Sequence, residues 1–129
     1  MLVPEDLRYS EDHQWVRPEG QLWRVGITAF AQDALGEVTM VQMSAPDAPV
    51  NAGDEMGEIE AFKAMTDLYM PVNAVMVAHN PALADSPTAI NEDPYGDGWL
   101  CTVRPQSPVD LEKLLDAAAY RELIGLTNA

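Results

Sequence analysis

The chain has 129 residues, and its 21 Asp and Glu residues against 7 Lys and Arg give a formal charge of −14 at pH 7. This length suits one compact domain, which we expect to span residues 1–129. The excess of acid argues against nucleic-acid and membrane-surface roles, because phosphate backbones and anionic headgroups are bound through cations. Lysine is scarce, since Lys63 and Lys113 are the two in the chain.

The sequence predicts an untargeted protein without metal. No apolar run approaches the roughly 20 residues of a spanning helix, and the first residues lack a basic segment followed by an apolar core. A single cysteine, Cys101, excludes an internal disulfide framework, and His13 and His79 have no neighbours at zinc-ligand spacing. We therefore expect a cytoplasmic protein, with the mitochondrial matrix as the alternative for a processed form.

The first predicted elements are two strands and a short helix. Residues 14–17 and 22–27 flank Pro18-Glu19-Gly20, which predicts a hairpin with a turn of three or four residues. Thr28 then caps a helix that runs through Leu35 and ends at Gly36. The next predicted strand spans residues 37–43 and mixes apolar residues on both faces, which favours burial on both sides.

A second pair of strands follows, over residues 55–60 and 66–70, and their connection carries Lys63 at its tip. Further strands are predicted after Pro71 and over residues 99–103, with a polar, proline-rich passage at 80–97 on the surface.

The composition changes near the C-terminus. Ser107 is a suitable N-cap with Pro108 at the first helical position, and apolar residues then follow a helical stripe to Gly125. The sequence thus predicts a β core over about residues 7–104 and a helical tail over about 107–125.

Lys63 has two interpretations on these grounds. A lysine at a tight β-turn is commonly a solvated surface residue. The same position also gives an acylating enzyme full access to the amine. Geometry alone leaves both interpretations open.

Four motifs in order resemble the glycine cleavage system H-protein family. Residues 60–72 read E-A-F-K-A-M-T-D-L-Y-M-P-V, where the family has E-S-V-K-A-x-S-D-L-Y-A-P-V. Residues 13–16 read H-Q-W-V for H-E-W-V, and residues 25–36 match V-G-I-T-x-x-A-Q-x-x-L-G. Residues 91–100 match N-x-D-P-Y-G-x-G-W-L. The resemblance covers nearly the whole chain.

The resemblance implies a mainly β fold, a flattened β-barrel or sandwich of the lipoyl (hybrid barrel-sandwich) type, with a short internal helix and C-terminal helices. It implies a carrier rather than an enzyme, with lipoic acid in amide linkage to Lys63. The arm would take the aminomethyl group of glycine from a pyridoxal-phosphate decarboxylase to a tetrahydrofolate-dependent aminomethyltransferase. Dihydrolipoamide dehydrogenase would reoxidise it, a lipoate-attaching enzyme would install it, and the carrier would be a monomer.

The resemblance also implies a surface cleft in which carboxylates hold the loaded arm. Glu60 and Asp67 flank Lys63 within the matched motif, and Gln14 takes the place of the family's glutamate in H-E-W-V. These three are the candidate cleft and recognition residues. Because a charge-assisted hydrogen bond is roughly twice as strong as a neutral one, Gln14 predicts weaker shelter of the loaded arm. Its alternative is an ordinary surface strand position.

Two other functions compete. A biotin carrier shares the fold and the hairpin lysine, but biotin carriers have methionine on both sides of the lysine, where this chain has Phe62 and Ala64. An unmodified scaffold of the same fold would leave Lys63 free. An enzyme is disfavoured because neither histidine has a partnered nucleophile, and no catalytic residue is predicted.

Overall fold

The computed structural model of the protein describes residues 1–126. The strands are β1 Arg8–Tyr9, β2 Gln14–Glu19, β3 Leu22–Ile27, β4 Val38–Met43, β5 Pro49–Val50, β6 Glu55–Ala61, β7 Met65–Tyr69, β8 Ala74–His79 and β9 Cys101–Pro105. The α-helices are α1 Ala29–Leu35, α2 Ala89–Glu92 and α3 Ala117–Leu123. Two 3₁₀ helices cover Pro81–Ala84 and Pro108–Lys113. No helix within this part of the chain has the length and apolar character to cross a membrane.

The strands form two antiparallel sheets. The larger has six strands in the order β1-β2-β3-β9-β8-β5, and the smaller has three in the order β4-β6-β7. The core between them joins buried residues of the large sheet, such as Val16 and Val25, to Ile59 and Leu68 of the small sheet. This arrangement confirms the prediction of a mainly β sandwich with a short internal helix and C-terminal helices.

Arginines share the outer face of the large sheet. Arg17 lies directly opposite Arg24, and Arg24 opposite Thr102, two residues before Arg104. Directly opposed residues and residues two apart point to the same face of a sheet. The like charges are offset by an ion pair of 3.3 Å between Arg24 and Glu19 and by stacking, since Arg17 lies 4.9 Å from the Trp15 ring centroid and Arg24 lies 4.7 Å from that of Trp99.

The outer face of the small sheet is acidic. Glu58 of β6 lies between Gln42 and Asp67 in the register. Carboxylate oxygens of Glu58, Asp67 and nearby Glu55 lie within 4.8 Å of one another. Like charges this close repel one another, so these carboxylates lower the stability of the folded protein.

The first hairpin differs from the prediction. β2 continues through Glu19, which pairs with Leu22 and leaves a two-residue turn in which Gly20 adopts φ +68°. Pro18 lies inside β2, where its missing N–H is tolerated because the β1 partner ends at the level of Val16.

The strand predicted to be buried on both faces is also different. Val38 is buried at the start of β4, but Thr39, Met40 and Gln42 are exposed. Each sheet of a two-layered sandwich turns one face to the core, so only one face of β4 can contact it. The double-sided interpretation was wrong because Met40 is apolar but exposed, whereas Met43 packs against the core.

The passage at 80–97 contributes more than a surface covering. It contains the first 3₁₀ helix and α2, and it buries Leu83, Ile90 and Tyr95. Helical turns this short do not show the hydrophobic periodicity by which a helix is predicted from sequence.

The helical tail is interrupted. After the second 3₁₀ helix, Leu115 exchanges two backbone hydrogen bonds of 2.8 Å with Tyr9, and α3 begins after Asp116. The Asp116 side chain caps α3 by accepting from the Ala119 N–H, whereas Ser107 makes no side-chain cap. The tail is anchored by Tyr120, whose ring stacks on Tyr9 at 4.6 Å.

Candidate functional site

The hairpin between β6 and β7 places Lys63 at its tip, as predicted. β6 ends at Ala61 and β7 begins at Met65, and the Ala61 N–H donates to the Ala64 carbonyl at 2.9 Å. Phe62 and Lys63 are both exposed, with 76% of the Phe62 surface accessible. The amine therefore projects from a fixed turn toward solvent.

Two backbone hydrogen bonds hold this tip against the end of α1. The Phe62 N–H donates to the Glu37 carbonyl at 3.1 Å, and the Lys63 N–H donates to the Leu35 carbonyl at 3.2 Å. Between these acceptors lies Gly36, and a Cβ on that residue would stand 3.2 to 3.4 Å from Cγ, Cδ and Cε of Lys63. The aliphatic stem of the lysine thus lies across the glycine.

A polar cleft, here called the tip cleft, opens beside Lys63. Its volume is about 400 Å³, and Asp33, Glu37, Asn91 and Glu92 contribute to its lining. Among residues 1–126, no carboxylate forms an ion pair with the Lys63 amine. The amine is therefore accessible to an acylating enzyme.

A second cleft, here called the apolar cleft, has a volume of about 160 Å³. Ile27, Phe30, Leu35 and Leu68 line it, with Asp67 also in its wall. The α1 residues of this cleft and those of the tip cleft lie on different faces of the helix, given its 3.6-residue period. One short helix therefore separates the two clefts and adjoins the root of Lys63.

His13 also lines the apolar cleft, in a left-handed conformation with φ +65°. Its Nδ1 lies 2.9 Å from the Tyr120 hydroxyl, which lies 2.7 Å from the Thr28 hydroxyl. Burial lowers the pKa of His13, an effect opposed by the smaller influence of Asp12. The imidazole is thus kept neutral and connects the cleft to the α1 cap residue Thr28.

The candidate residue Gln14 is buried and already paired. Its side chain is 1% exposed; Nε2 donates to the Tyr69 carbonyl at 2.5 Å and Oε1 accepts from the Tyr69 N–H at 2.9 Å. It lines neither cleft. The surface-strand alternative for Gln14 was wrong, because the amide joins β2 to β7 across the two sheets.

The other two candidates lie on the lysine hairpin itself. Asp67 is exposed and belongs to the wall of the apolar cleft. Glu60 is half-buried, pairs in register with Met40 and Met65, and lines neither cleft. Of the three candidates, the structure brings only Asp67 to a cleft.

Asn91 is a residue whose position the sequence reading missed. Its Nδ2 donates to the Gly36 carbonyl at 2.7 Å and to Gln32 Oε1 at 3.1 Å, and its Oδ1 accepts from the Val38 N–H at 2.9 Å. The signal was present, since Asn91 opens the motif at residues 91–100, but the sequence placed this residue in a polar, proline-rich passage on the surface.

Comparison with known proteins gives a consistent result. The family model described as Glycine cleavage H-protein matches residues 7–126. A "Glycine cleavage system H protein" of Anaeromyxobacter sp. (strain K) is 44% identical over 124 residues, covering 96% of this chain and 97% of that relative. One of Bacillus subtilis (strain 168) is 41% identical over 123 residues, covering 95% and 97%.

A solved structure is similar as well. The crystal structure of a glycine cleavage system H protein from Mycobacterium marinum superposes with a TM-score of 0.86 at 38% identity, and the match covers 96% of this chain and all of that one.

Proposed function

The chain belongs to the glycine cleavage H-protein family, and from this premise we propose that it carries lipoic acid on Lys63 and shuttles the aminomethyl group of glycine. Membership of this family supports the interpretation of the chain as a carrier subunit of the glycine cleavage system. The observation that supports Lys63 as the attachment site is its place at the exposed tip of a hairpin fixed to α1.

The residues around Lys63 fit an acylated lysine. The amine forms an amide by attacking an activated lipoyl carbonyl; it loses a proton, and the activating group leaves with its electron pair. No carboxylate of residues 1–126 is paired with this amine, so no ion pair must be broken first. Held on Lys63, the lipoyl group would supply a disulfide that is reduced by the two electrons of glycine decarboxylation as one sulfur takes the aminomethyl group; the dithiol left after transfer of that group would then be reoxidised.

The apolar cleft is suited to shelter the end of such an arm. Ile27, Phe30 and Leu35 offer an apolar wall that excludes water. We propose Asp67, which borders this cleft, as the acidic partner of a cationic amine, although its carboxylate lies with those of Glu55 and Glu58 on the outer face of the small sheet. Gln14 cannot offer its amide to the arm without losing its bonds to Tyr69, so Asp67 would act without the partner that the resemblance led us to expect.

The partners follow from the same proposal. The carrier would meet a pyridoxal-phosphate glycine decarboxylase, a tetrahydrofolate-dependent aminomethyltransferase and dihydrolipoamide dehydrogenase, and a lipoate-attaching enzyme would modify it. We propose that it does so as a monomer in the cytoplasm. Glu60, on the outer face of the hairpin, is proposed as a recognition residue for the attaching enzyme.

The proposal is tested by producing the protein with a lipoate ligase and lipoate, followed by intact mass and peptide mapping. We expect one lipoyl group on the wild type and on Lys113→Arg, and none on Lys63→Arg. Acylation that persists in Lys63→Arg would overturn the assignment. Biotin on Lys63 after co-production with a biotin ligase, with lipoate refused, would instead favour the biotin-carrier alternative.

A further inference from the structure

We infer that Asn91 is a positioning residue for Lys63, holding the surface on which the lysine stem lies so that the amine meets the attaching enzyme in one direction. This inference rests on the proposed function, because acylation of Lys63 is the reaction whose efficiency it explains. It assigns a role to a residue 28 positions further along the chain, on a different element.

The first step is the contact between Lys63 and Gly36. Gly36 has φ +80° and ψ −160°, a region open essentially to glycine alone. A Cβ there would also stand at 3.2 Å from Lys63 Cγ, which is closer than ordinary van der Waals contact. The lysine stem can therefore lie along the backbone only because residue 36 has no side chain.

The second step is that Asn91 fixes this backbone. Its amide donates to the Gly36 carbonyl and accepts from the Val38 N–H. These two residues flank Glu37, whose carbonyl accepts from the Phe62 N–H. Val38 in turn pairs with Ala61 at the end of β6. One side chain thus holds both the glycine under the lysine and the strand beside its turn.

The third step is that the amide chemistry is specific. Asn91 donates to two oxygens, of Gly36 and Gln32, while it accepts from one N–H. An aspartate of the same shape retains the acceptor but turns a carboxylate toward both oxygens. The position therefore requires an amide rather than a polar residue in general.

Asn80 offers a matched control. Its side-chain amide, which is buried, also makes three hydrogen bonds, donating to the Asp97 and Trp99 carbonyls and accepting from the Ala82 N–H. These bonds hold the 3₁₀ helix and the approach to β9, and Asn80 does not line the tip cleft. Its loss removes the same number and kind of bonds without touching Gly36.

The test uses unmodified full-length protein with purified lipoate ligase, ATP and lipoate. Initial rates of Lys63 acylation are measured by mass for the wild type, Asn91→Ala, Asn91→Asp, Asn80→Ala and Asn80→Asp, below the melting temperature of each. We expect kcat/KM to fall about tenfold in both Asn91 variants, as misplacement of a reacting group predicts, and to be unchanged in both Asn80 variants. The nuclear Overhauser contact between Gly36 Hα and the Lys63 stem is expected to weaken only in the Asn91 variants.

Three outcomes overturn the inference. Acylation of the Asn91 variants at the wild-type rate would do so, and so would slowing of the Asn80 and Asn91 variants in proportion to their lost stability. In both cases wild-type acylation at Lys63 would leave the proposed function intact. A wild-type chain that the ligase does not acylate at all would overturn the proposed function, and this inference with it.

Discussion

The side chain of Gln14 bonds both backbone polar groups of Tyr69, donating to the carbonyl at 2.5 Å and accepting from the N–H at 2.9 Å. Because Gln14 belongs to β2 and Tyr69 to β7, this pair joins the large sheet to the small one. An amide fits this site because it offers one donor and one acceptor. A carboxylate would fit it less well.

Replacing Gln14 by glutamate is therefore expected to lower stability by about 1 to 3 kcal/mol near neutral pH, since the Tyr69 carbonyl loses its donor and faces a negative charge. Burial should raise the pKa of the new carboxyl. Between pH 4.3, about the ordinary value, and that raised pKa, stability should fall as pH rises, because the folded state holds the proton longer. Urea unfolding of Gln14→Glu from pH 4.5 to 8 measures this.

Gln21→Glu is the matched control for that change. Gln21 lies exposed in the turn of the first hairpin, so the same substitution should leave stability within about 0.5 kcal/mol. If Gln14→Glu were as stable as Gln21→Glu at every pH, the Tyr69 pairing would not matter.

A second prediction concerns pH and His13. Burial holds the pKa of His13 below its ordinary 6.5, so the folded protein keeps the ring neutral while the unfolded chain takes up a proton. Stability due to this ring is present above pH 6.5 and is lost as pH falls from there toward the folded pKa. We expect the wild type to lose more stability than His13→Asn between pH 7.5 and 5.5, and urea melts measure both.

Asparagine is chosen for that comparison because it tolerates the positive φ of residue 13 better than other residues. Parallel pH profiles of the wild type and His13→Asn would contradict the prediction.

A third prediction concerns Cys101. Its side chain is fully buried in β9, and burial raises the pKa of the thiol to about 12. Because the thiolate is the reactive form, iodoacetamide at pH 8 should leave the native protein unmodified and alkylate it fully in urea. Mass spectrometry follows the alkylation. Rapid alkylation of the native protein would contradict the prediction and mean that β9 opens readily.

The fourth prediction concerns Phe62, which takes the place of valine in the H-protein pattern that residues 60–72 resemble. Its ring is exposed at the position next to Lys63, in the turn that we propose a lipoate ligase approaches. We expect Phe62→Val to lower the KM of the ligase for the carrier and to change stability by less than about 0.5 kcal/mol. Leu123→Val, an exposed change on α3, is the control; an unchanged KM for Phe62→Val would show that the ring does not obstruct.

The lysine hairpin could be predicted from sequence because its determinants are local. Strand residues on both sides of Lys63 and the capping residues Thr28 and Gly36 act over a few positions, and each appeared where expected. The burial pattern of β4 could not be predicted, since methionines at 40 and 43 look alike in sequence but only Met43 packs against the core.

The roles of Gln14 and Asn91 also escaped the sequence reading. Gln14 bonds a residue 55 positions away, and Asn91 bonds residues 53 to 59 positions away. Neither partner can be named until the two sheets and α2 are placed in space. A motif can mark such residues as significant without saying what they hold.

The arginines of the large sheet and the carboxylates of the small sheet lie on opposite outer faces of one sandwich. Charges of opposite sign separated by the thickness of a core give the molecule an electric dipole moment in addition to its net charge. In the field of a basic surface such a dipole experiences a torque that turns the small sheet toward that surface before contact. The charge distribution of the sandwich thus favours encounters through the small sheet over encounters through the arginine face.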